Sequence, residues 1–189
     1  QRALDEVVLM AVIDSADIFG TVTFAKTTSG SVNVTANLRW TDESWPVNTV
    51  GHMWHIHADS LAGQDIGACN CDNDDDIRDC VQSECPQCWV AGGHFDPARI
   101  ELDEAYSCDP AEQSTCYAGA LSGKFGTLTI TALPEPPVPS TTGMDTELPF
   151  EQLLGKSVVI HQEHESTDRI ACGEIVSAAF VSTVDDDDD

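Results

Sequence analysis

Basic residues are scarce in this chain of 189 residues. Lysine and arginine together number 8 against 33 aspartate and glutamate residues, so the formal net charge at pH 7 is -25. Such an acidic protein is repelled by nucleic acids and by anionic membranes, and we exclude both as partners. Long apolar runs are absent too. The stretch 9–13 is far shorter than the roughly 20 residues that a membrane-spanning helix needs.

Helical periodicity is nearly absent, and alternation of apolar and polar residues takes its place. This alternation is typical of half-buried strands, and it predicts a hairpin formed by residues 20–25 and 31–38. The inward-facing residues of its second strand are predicted to be Val32, Val34, Ala36 and Leu38. Further strands are predicted at 127–133, 158–161 and 174–181, whereas residues 7–13 fit either a strand or a short helix.

The length and the strand pattern together predict one domain. Residues 1–184 are expected to form a single all-β antiparallel sandwich or barrel, because the chain is long enough to bury a core and has several short strands. Residues 185–189 are all aspartate and are expected to form an acidic tail outside that domain.

Three features indicate a secreted protein. The chain has eight cysteines, which favours an oxidising compartment. Asn33-Val34-Thr35 is an acceptor sequence for N-glycosylation. The chain also begins at Gln1 without methionine, as a mature protein would after removal of a signal peptide. We therefore expect an extracellular location, in a body fluid, and glycosylation at Asn33.

Histidines indicate a metal site. His55 and His57 are two residues apart, so on a strand both imidazoles lie on the same face. His52 is close enough to support them, and His94 and His161 follow later in the chain. Imidazole nitrogens are ligands that copper and zinc both accept readily. The sequence therefore predicts a copper or zinc site.

Four short motifs resemble the copper/zinc superoxide dismutases and occur in the same order. They are Gly51-His52-Met53-Trp54-His55-Ile56-His57, Ala91-Gly92-Gly93-His94-Phe95-Asp96-Pro97, Val159-Ile160-His161 and Asp168-Arg169-Ile170-Ala171-Cys172-Gly173. The resemblance extends from about residue 20 to residue 175. It implies an eight-stranded antiparallel Greek-key sandwich or barrel with long loops, and superoxide as the substrate.

The resemblance also assigns roles to residues of the site. It implies that copper is bound by His55, His57, His94 and His161, with His52 bracing the site. Arg169 matches the arginine beside the copper, so Arg169 and His94 are the expected catalytic residues. Cys88 and Cys172 match the family's disulfide within one subunit.

The zinc half of the family pattern is altered in this chain. Between His94 and His161 there is no histidine, and the positions of one zinc histidine and of the zinc aspartate are occupied by Cys116 and Ala120. The resemblance is therefore to a copper-only member without a zinc site. Without zinc, the second nitrogen of His94 is expected to lack a partner, which would loosen its orientation.

A cysteine-rich acidic insert allows several interpretations. Six cysteines remain after Cys88 and Cys172, and they allow fifteen pairings. Those six are Cys69, Cys71, Cys80, Cys85, Cys108 and Cys116. Short spacing favours a Cys108–Cys116 disulfide. The carboxylates within 69–80 could hold calcium or other divalent cations, although the segment lacks the glycine and terminal glutamate of an EF-hand loop, so a solvated acidic loop is the alternative.

Two functions follow from these observations. The first is an extracellular, copper-dependent superoxide dismutase. The second is a non-enzymatic carrier of divalent metals, similar to the superoxide-dismutase-like haemolymph proteins of bivalve molluscs, the cavortin, dominin and pernin group, which also implies a homo-oligomer. Segment 162–168 contains three acidic residues, His164 and no lysine, so it would repel an anionic substrate. Nothing in the sequence places Lys124 near enough to offset that charge.

Overall fold

A computed structural model describes residues 7–15, 17–41, 47–61, 88–133, 140–163 and 168–181. Within these ranges the chain forms nine strands and two short α-helices, besides four single-turn 3-10 helices. The strands are β1 (Val8–Asp14), β2 (Ile18–Lys26), β3 (Val32–Trp40), β4 (Thr49–His52), β5 (Trp54–His57), β6 (Leu128–Ile130), β7 (Thr141–Asp145), β8 (Ser157–His161) and β9 (Arg169–Ser177). The helices are α1 (Leu121–Phe125) and α2 (Ala178–Val181), and both are too short to cross a membrane.

The strands form one large and one small antiparallel sheet. The large sheet has seven strands in the order β5-β8-β9-β1-β2-β3-β7, and the small one pairs β4 with β6. The all-β antiparallel prediction is therefore confirmed. The eight-stranded expectation becomes nine in the described residues because the histidine strand is broken at Met53, which separates β4 from β5.

On the central strands, the alternation of apolar and polar residues in the sequence matches the alternation of buried and partly exposed side chains. The inward residues of β3 are the four predicted ones together with Trp40, and all are buried. They pack with the alternate residues of β1 and β2 and with Trp54 and Ile56 of β5 in the main apolar core. Asn33 lies on the opposite, half-buried face of β3, in register with Ala25 and Met144. Its glycosylation stays a prediction.

One alternative left open by the sequence is settled, and two elements differ from the sequence-based expectation. Residues 8–14 form the strand and not the helix, because β1 lies between β9 and β2 and its alternate residues enter the core. The strand β7 was not predicted, since Thr141-Thr142-Gly143 carries little apolar signal. The final strand begins at Arg169 and ends at Ser177, where α2 follows, instead of continuing to residue 181.

A buried ion pair joins α1 to the edge of the large sheet. Lys124 Nζ donates to Asp145 Oδ2 at 2.8 Å, and both side chains are fully buried. Lys124 also donates to the Ala118 carbonyl oxygen, while Asp145 Oδ1 accepts the backbone amides of Glu147 and Leu148. These hydrogen bonds satisfy both charges inside the protein. Lys124 is therefore unavailable to attract anions at the surface.

We predict that Lys124→Met destabilises the fold by about 3–5 kcal/mol, because it leaves the Asp145 carboxylate buried without its cationic partner. The free energy of unfolding from urea denaturation measures this loss. Lys26→Met is the matched control, because Lys26 pairs with Glu151 at the surface, where an ion pair contributes only about 0–1 kcal/mol. Equal losses in the two variants would contradict the structural role assigned to the buried pair.

Candidate metal centre

Two neighbouring strands carry the central histidines on the same face. In the β5–β8 pair His55 is opposite Val159 and His57 is opposite Ser157, while His161 is the last residue of β8. The alternating partners of these residues point into the main core. The histidine face is covered by the segment 88–95, which packs Cys88 and Ala91 against Val159. Both faces of these strands are thus shielded from water.

Three imidazoles converge on one point. His55, His57 and His161 each offer a ring nitrogen within 4.8 Å of the others, and all three residues are buried. His55 Nδ1 and His57 Nε2 are buried and have no hydrogen-bond partner among the residues that the structure describes. A metal–nitrogen bond is about 2 Å long, so ligands on opposite sides of an ion are about 4 Å apart. The group therefore fits one metal ion with little rearrangement.

Burial also sets the protonation of these rings. The pKa of His55 falls to about 2, mainly because burial removes the charged form from water and also because His94 and His161 repel it. The pKa of His57 falls to about 3, again chiefly through burial. The hydrogen bond of His57 Nδ1 to the Gly92 carbonyl oxygen, at 2.8 Å, fixes the proton on Nδ1. Both rings are neutral at physiological pH and present a lone pair to a metal.

His94 approaches this group from the covering segment. Its ring centroid is 4.6 Å from that of His55 and 5.0 Å from that of His57, although His94 is not in the three-histidine group. The backbone of His94 forms a bridge with His57. These contacts place His94 at the edge of the site. Its expected role as the fourth copper ligand stays a prediction.

His94 is firmly held, which corrects the expectation that its orientation would be loose. Its Nδ1 lies 2.7 Å from Glu101 Oε1, and its ring is parallel to Tyr117 at a centroid distance of 5.0 Å. Asp96 Oδ2 in turn accepts the backbone amide of Glu101. Burial and the nearby Glu101 carboxylate raise the pKa of Tyr117, so its phenol stays protonated. Sequence analysis missed Glu101 and Tyr117, because no short motif connects them to His94.

Backbone hydrogen bonds lock the covering segment onto β5. The Phe95 amide donates to the Ile56 carbonyl oxygen, the Gly119 amide donates to Phe95, and the Ile56 amide donates to Gly119. A Cβ atom on Gly119 would lie 2.4 Å from the Ile56 oxygen, so only glycine permits this approach. Three chain segments distant in sequence are thereby held in contact around the histidines.

His52 lies behind the site and supports His161. Its Nδ1 donates to the His161 carbonyl oxygen at 3.0 Å, because a carbonyl can only accept. His52 Nε2 must then accept the Thr49 hydroxyl, and Thr49 Oγ1 accepts the indole N–H of Trp40. This series of hydrogen bonds sets the tautomer of His52 and fixes the end of β8.

Arg169 lies directly across from His161 on β9. Its guanidinium donates to the Cys88 and Gly92 carbonyl oxygens, each at 2.8 Å, and covers the Trp89 ring at 4.9 Å. The guanidinium is near enough to lower the pKa of His55 and His57. A disulfide between Cys88 and Cys172 fastens the same segment to β9.

Several predicted positions lie elsewhere. Cys108 and Cys116 form the second disulfide within the described residues, and Ala120 is buried beside it. Neither Cys116 nor Ala120 belongs to the three-histidine group. His164, the tail 185–189, the segment 69–80 and the cysteines at 69, 71, 80 and 85 lie outside the described residues, so their predicted roles are not tested.

Comparison with known proteins gives matches in structure but not in sequence. No family model matches the chain, and no curated protein sequence matches it. A variant of superoxide dismutase 5 of Candida albicans superposes with a TM-score of 0.58 at 20% identity, covering 91% of this chain and 92% of that one. The Cu(II) form of the same dismutase has a TM-score of 0.57 at 19% identity, covering 91% and 92%.

A protein whose name does not describe it as a dismutase has the same architecture. The clock protein EA4 superposes with a TM-score of 0.54 at 16% identity, covering 93% of this chain and 98% of that one. At these identities the likeness establishes the fold alone. The resemblance to the copper/zinc superoxide dismutases is confirmed at that level: the chain has the superoxide dismutase fold, with a histidine group that fits a metal ion.

Proposed function

We propose that this chain is an extracellular copper protein that dismutes superoxide. The observation that carries the proposal is the convergence of buried nitrogens from His55, His57 and His161, two of which are kept neutral by burial. Such an all-nitrogen group suits copper or zinc. Copper is favoured because the fold is shared with a dismutase solved in its Cu(II) form.

The chemistry of the proposed reaction comes from the metal. Bound copper would alternate between Cu(II) and Cu(I), so that one superoxide is oxidised to oxygen and a second, with two protons, is reduced to hydrogen peroxide. His55, His57 and His161 would hold the ion, with His94 as the fourth ligand. The covering segment 88–95 would keep bulk water from the strand face that carries the histidines.

Arg169 is the residue proposed to bind the substrate anion. Its planar guanidinium is suited to charge-assisted hydrogen bonds, and its contacts with Cys88 and Gly92 hold it beside the histidines. It also supplies positive charge to a strongly acidic protein. Binding of superoxide at Arg169 would therefore bring the anion next to the metal.

Glu101 is proposed to position His94. A proton on His94 Nδ1 is shared with Glu101 Oε1 at 2.7 Å, which leaves the other ring nitrogen, Nε2, as the lone pair for the metal. In this respect the carboxylate replaces a second metal as the partner of that imidazole. Cys116 and Ala120 occupy positions where the family pattern has zinc ligands. We therefore propose that the chain has no zinc site.

A metal carrier without enzymatic activity is the second candidate. The net charge of -25 and the burial of Lys124 against Asp145 favour it, because neither provides positive charge that would attract superoxide. Both candidate functions include four further proposals: secretion, glycosylation at Asn33, assembly into homo-oligomers, and binding of extra divalent cations by the acidic segment 69–80.

We predict that Arg169→Gln retains copper and lowers kcat/KM for superoxide about ten- to a hundredfold, since a hydrogen bond to a charged group contributes about 1.5–3 kcal/mol. Copper content and the dismutation rate are measured on the same samples. Arg39→Gln is the matched control, because Arg39 packs on Phe19 away from the histidines.

Ionic strength separates the two candidate functions further. Added salt should raise the wild-type rate, because screening weakens the repulsion between superoxide and the acidic surface. A wild-type protein that is fully loaded with copper and does not dismute superoxide at either ionic strength would leave only the carrier.

We predict that Glu101→Ala weakens copper binding about ten- to a hundredfold, the usual effect of removing a group that orients a metal ligand. Glu101→Gln should lose less, because its amide oxygen can still accept the proton on His94 Nδ1. Competition with a chelator of known affinity measures both constants. Glu151→Gln, on an exposed pair with Lys26, is the control. Unchanged affinity in Glu101→Ala would show that His94 needs no such support.

A further inference from the structure

Both tyrosines of the chain lie beside the candidate metal centre. The ring of Tyr117 is stacked on His94, at 5.0 Å between centroids and 13° between planes, and is 6.2 Å from the ring of His55. The ring of Tyr106 follows, with its centroid 5.8 Å from that of Tyr117. The rings of His94, Tyr117 and Tyr106 therefore form a continuous series.

This series leads from the interior to the surface. Tyr117 is only 4% exposed, whereas Tyr106 is half-buried and lines a surface cavity of about 410 Å³ together with Arg99 and Thr115. The disulfide between Cys108 and Cys116 joins the two chain segments that carry Tyr106 and Tyr117. One end thus contacts the histidines, and the other end is accessible to water and to small dissolved molecules.

The physical properties of the rings suit electron transfer. The rate of electron transfer falls steeply with distance, so stacked rings exchange electrons much faster than rings separated by a layer of protein. A phenol is also among the side chains most easily oxidised by one electron. Support of His94 accounts for the stacking of Tyr117, but it does not account for the continuation of the ring series to Tyr106.

We propose that Tyr117 and Tyr106 form an electron-transfer route that carries an oxidising equivalent from the metal centre to the cavity beside Tyr106. The inference rests on the proposed function, because that function supplies both the bound copper and the oxidant, hydrogen peroxide. The route would spare the histidine ligands, which lie closest to the reacting peroxide.

The electron and proton balance of the step is as follows. Hydrogen peroxide takes up two electrons and two protons and becomes two water molecules. Reduced copper, held by the histidines, would supply one electron, and Tyr106 would supply the other through Tyr117. The O–H bond of Tyr106 breaks and its proton passes to water in the cavity. Solvent delivers both protons that the peroxide takes up, so the step consumes one proton in total. A neutral tyrosyl radical remains at Tyr106, and a dissolved enediol or phenol restores it by giving one hydrogen atom.

The test uses the full chain loaded with copper, reduced anaerobically, mixed with stoichiometric hydrogen peroxide and frozen for electron paramagnetic resonance. Wild type is compared with Tyr117→Phe, Tyr106→Phe and the double variant. Because the chain has two tyrosines, any tyrosyl signal belongs to one of them. We expect a signal in wild type, severalfold less in Tyr117→Phe, a shorter-lived signal in Tyr106→Phe and none in the double variant.

Peptide mass spectrometry of the same samples provides a second readout. Oxidation of His55 and His94 should rise severalfold in Tyr117→Phe, since the phenylalanine ring is much harder to oxidise than the phenol and cannot carry the oxidising equivalent away. Phenylalanine keeps the stacked ring, and equal copper content in all four proteins confirms that the site is intact.

Two results would overturn the route. One is an equal tyrosyl signal in wild type and Tyr117→Phe, which would mean that Tyr106 is oxidised by a diffusing species. The other is a copper-loaded wild type whose radical is absent or located on tryptophan. Either leaves the proposed function intact. A protein that binds no copper at its histidines would contradict the proposed function and the route together.

Discussion

The carbonyl oxygen of Gly92 holds the site together. It accepts hydrogen bonds from His57 Nδ1 and from a guanidinium nitrogen of Arg169, each at 2.8 Å. This one backbone atom therefore fixes the proton of His57 on Nδ1 and holds the Arg169 side chain in place. Gly92 has a φ of 72°, and a Cβ atom there would lie 2.1 Å from Asp59 Oδ2. Backbone hydrogen bonds on either side, from Ala58 to Gly93 and from Asp59 to Ala91, fix this conformation.

The segment 88–95, which contains Gly92, also shields the site from water. Strands β5 and β8 pack one face on the main core and the other under residues 88–95. Burial on both faces makes charged imidazolium unfavourable, so His55 and His57 stay neutral and keep lone pairs available. Among the described residues the three-histidine group contains no carboxylate, and the Glu101 carboxylate is hydrogen-bonded to Nδ1 of His94.

The sequence was sufficient for the parts of the structure that depend on local patterns. Alternation predicted the central hairpin and its buried face, and the His-x-His spacing placed His55 and His57 on one side of a strand. Motif order added His161, Arg169 and the cysteines that form the Cys88–Cys172 disulfide.

The sequence could not reveal contacts made by loops. Glu101 meets His94 from a loop in which the Asp96 carboxylate accepts the Glu101 amide, and no spacing rule encodes that turn. The sequence did not place Lys124, whereas the fold buries it against Asp145. The strand β7 has almost no apolar signal, and its position depends on pairing with β3. These features are set by tertiary contacts, which override local preference.

The most direct measurement of the central claim is electron paramagnetic resonance of the protein loaded with Cu(II), combined with metal analysis. The account predicts a single copper per chain whose spectrum shows splitting by several imidazole nitrogens, and which is lost in the His55→Ala/His57→Ala variant. A spectrum from oxygen ligands alone, or copper retained unchanged in that variant, would contradict the account, because the ion would then be bound by the acidic surface and not by the converging histidines.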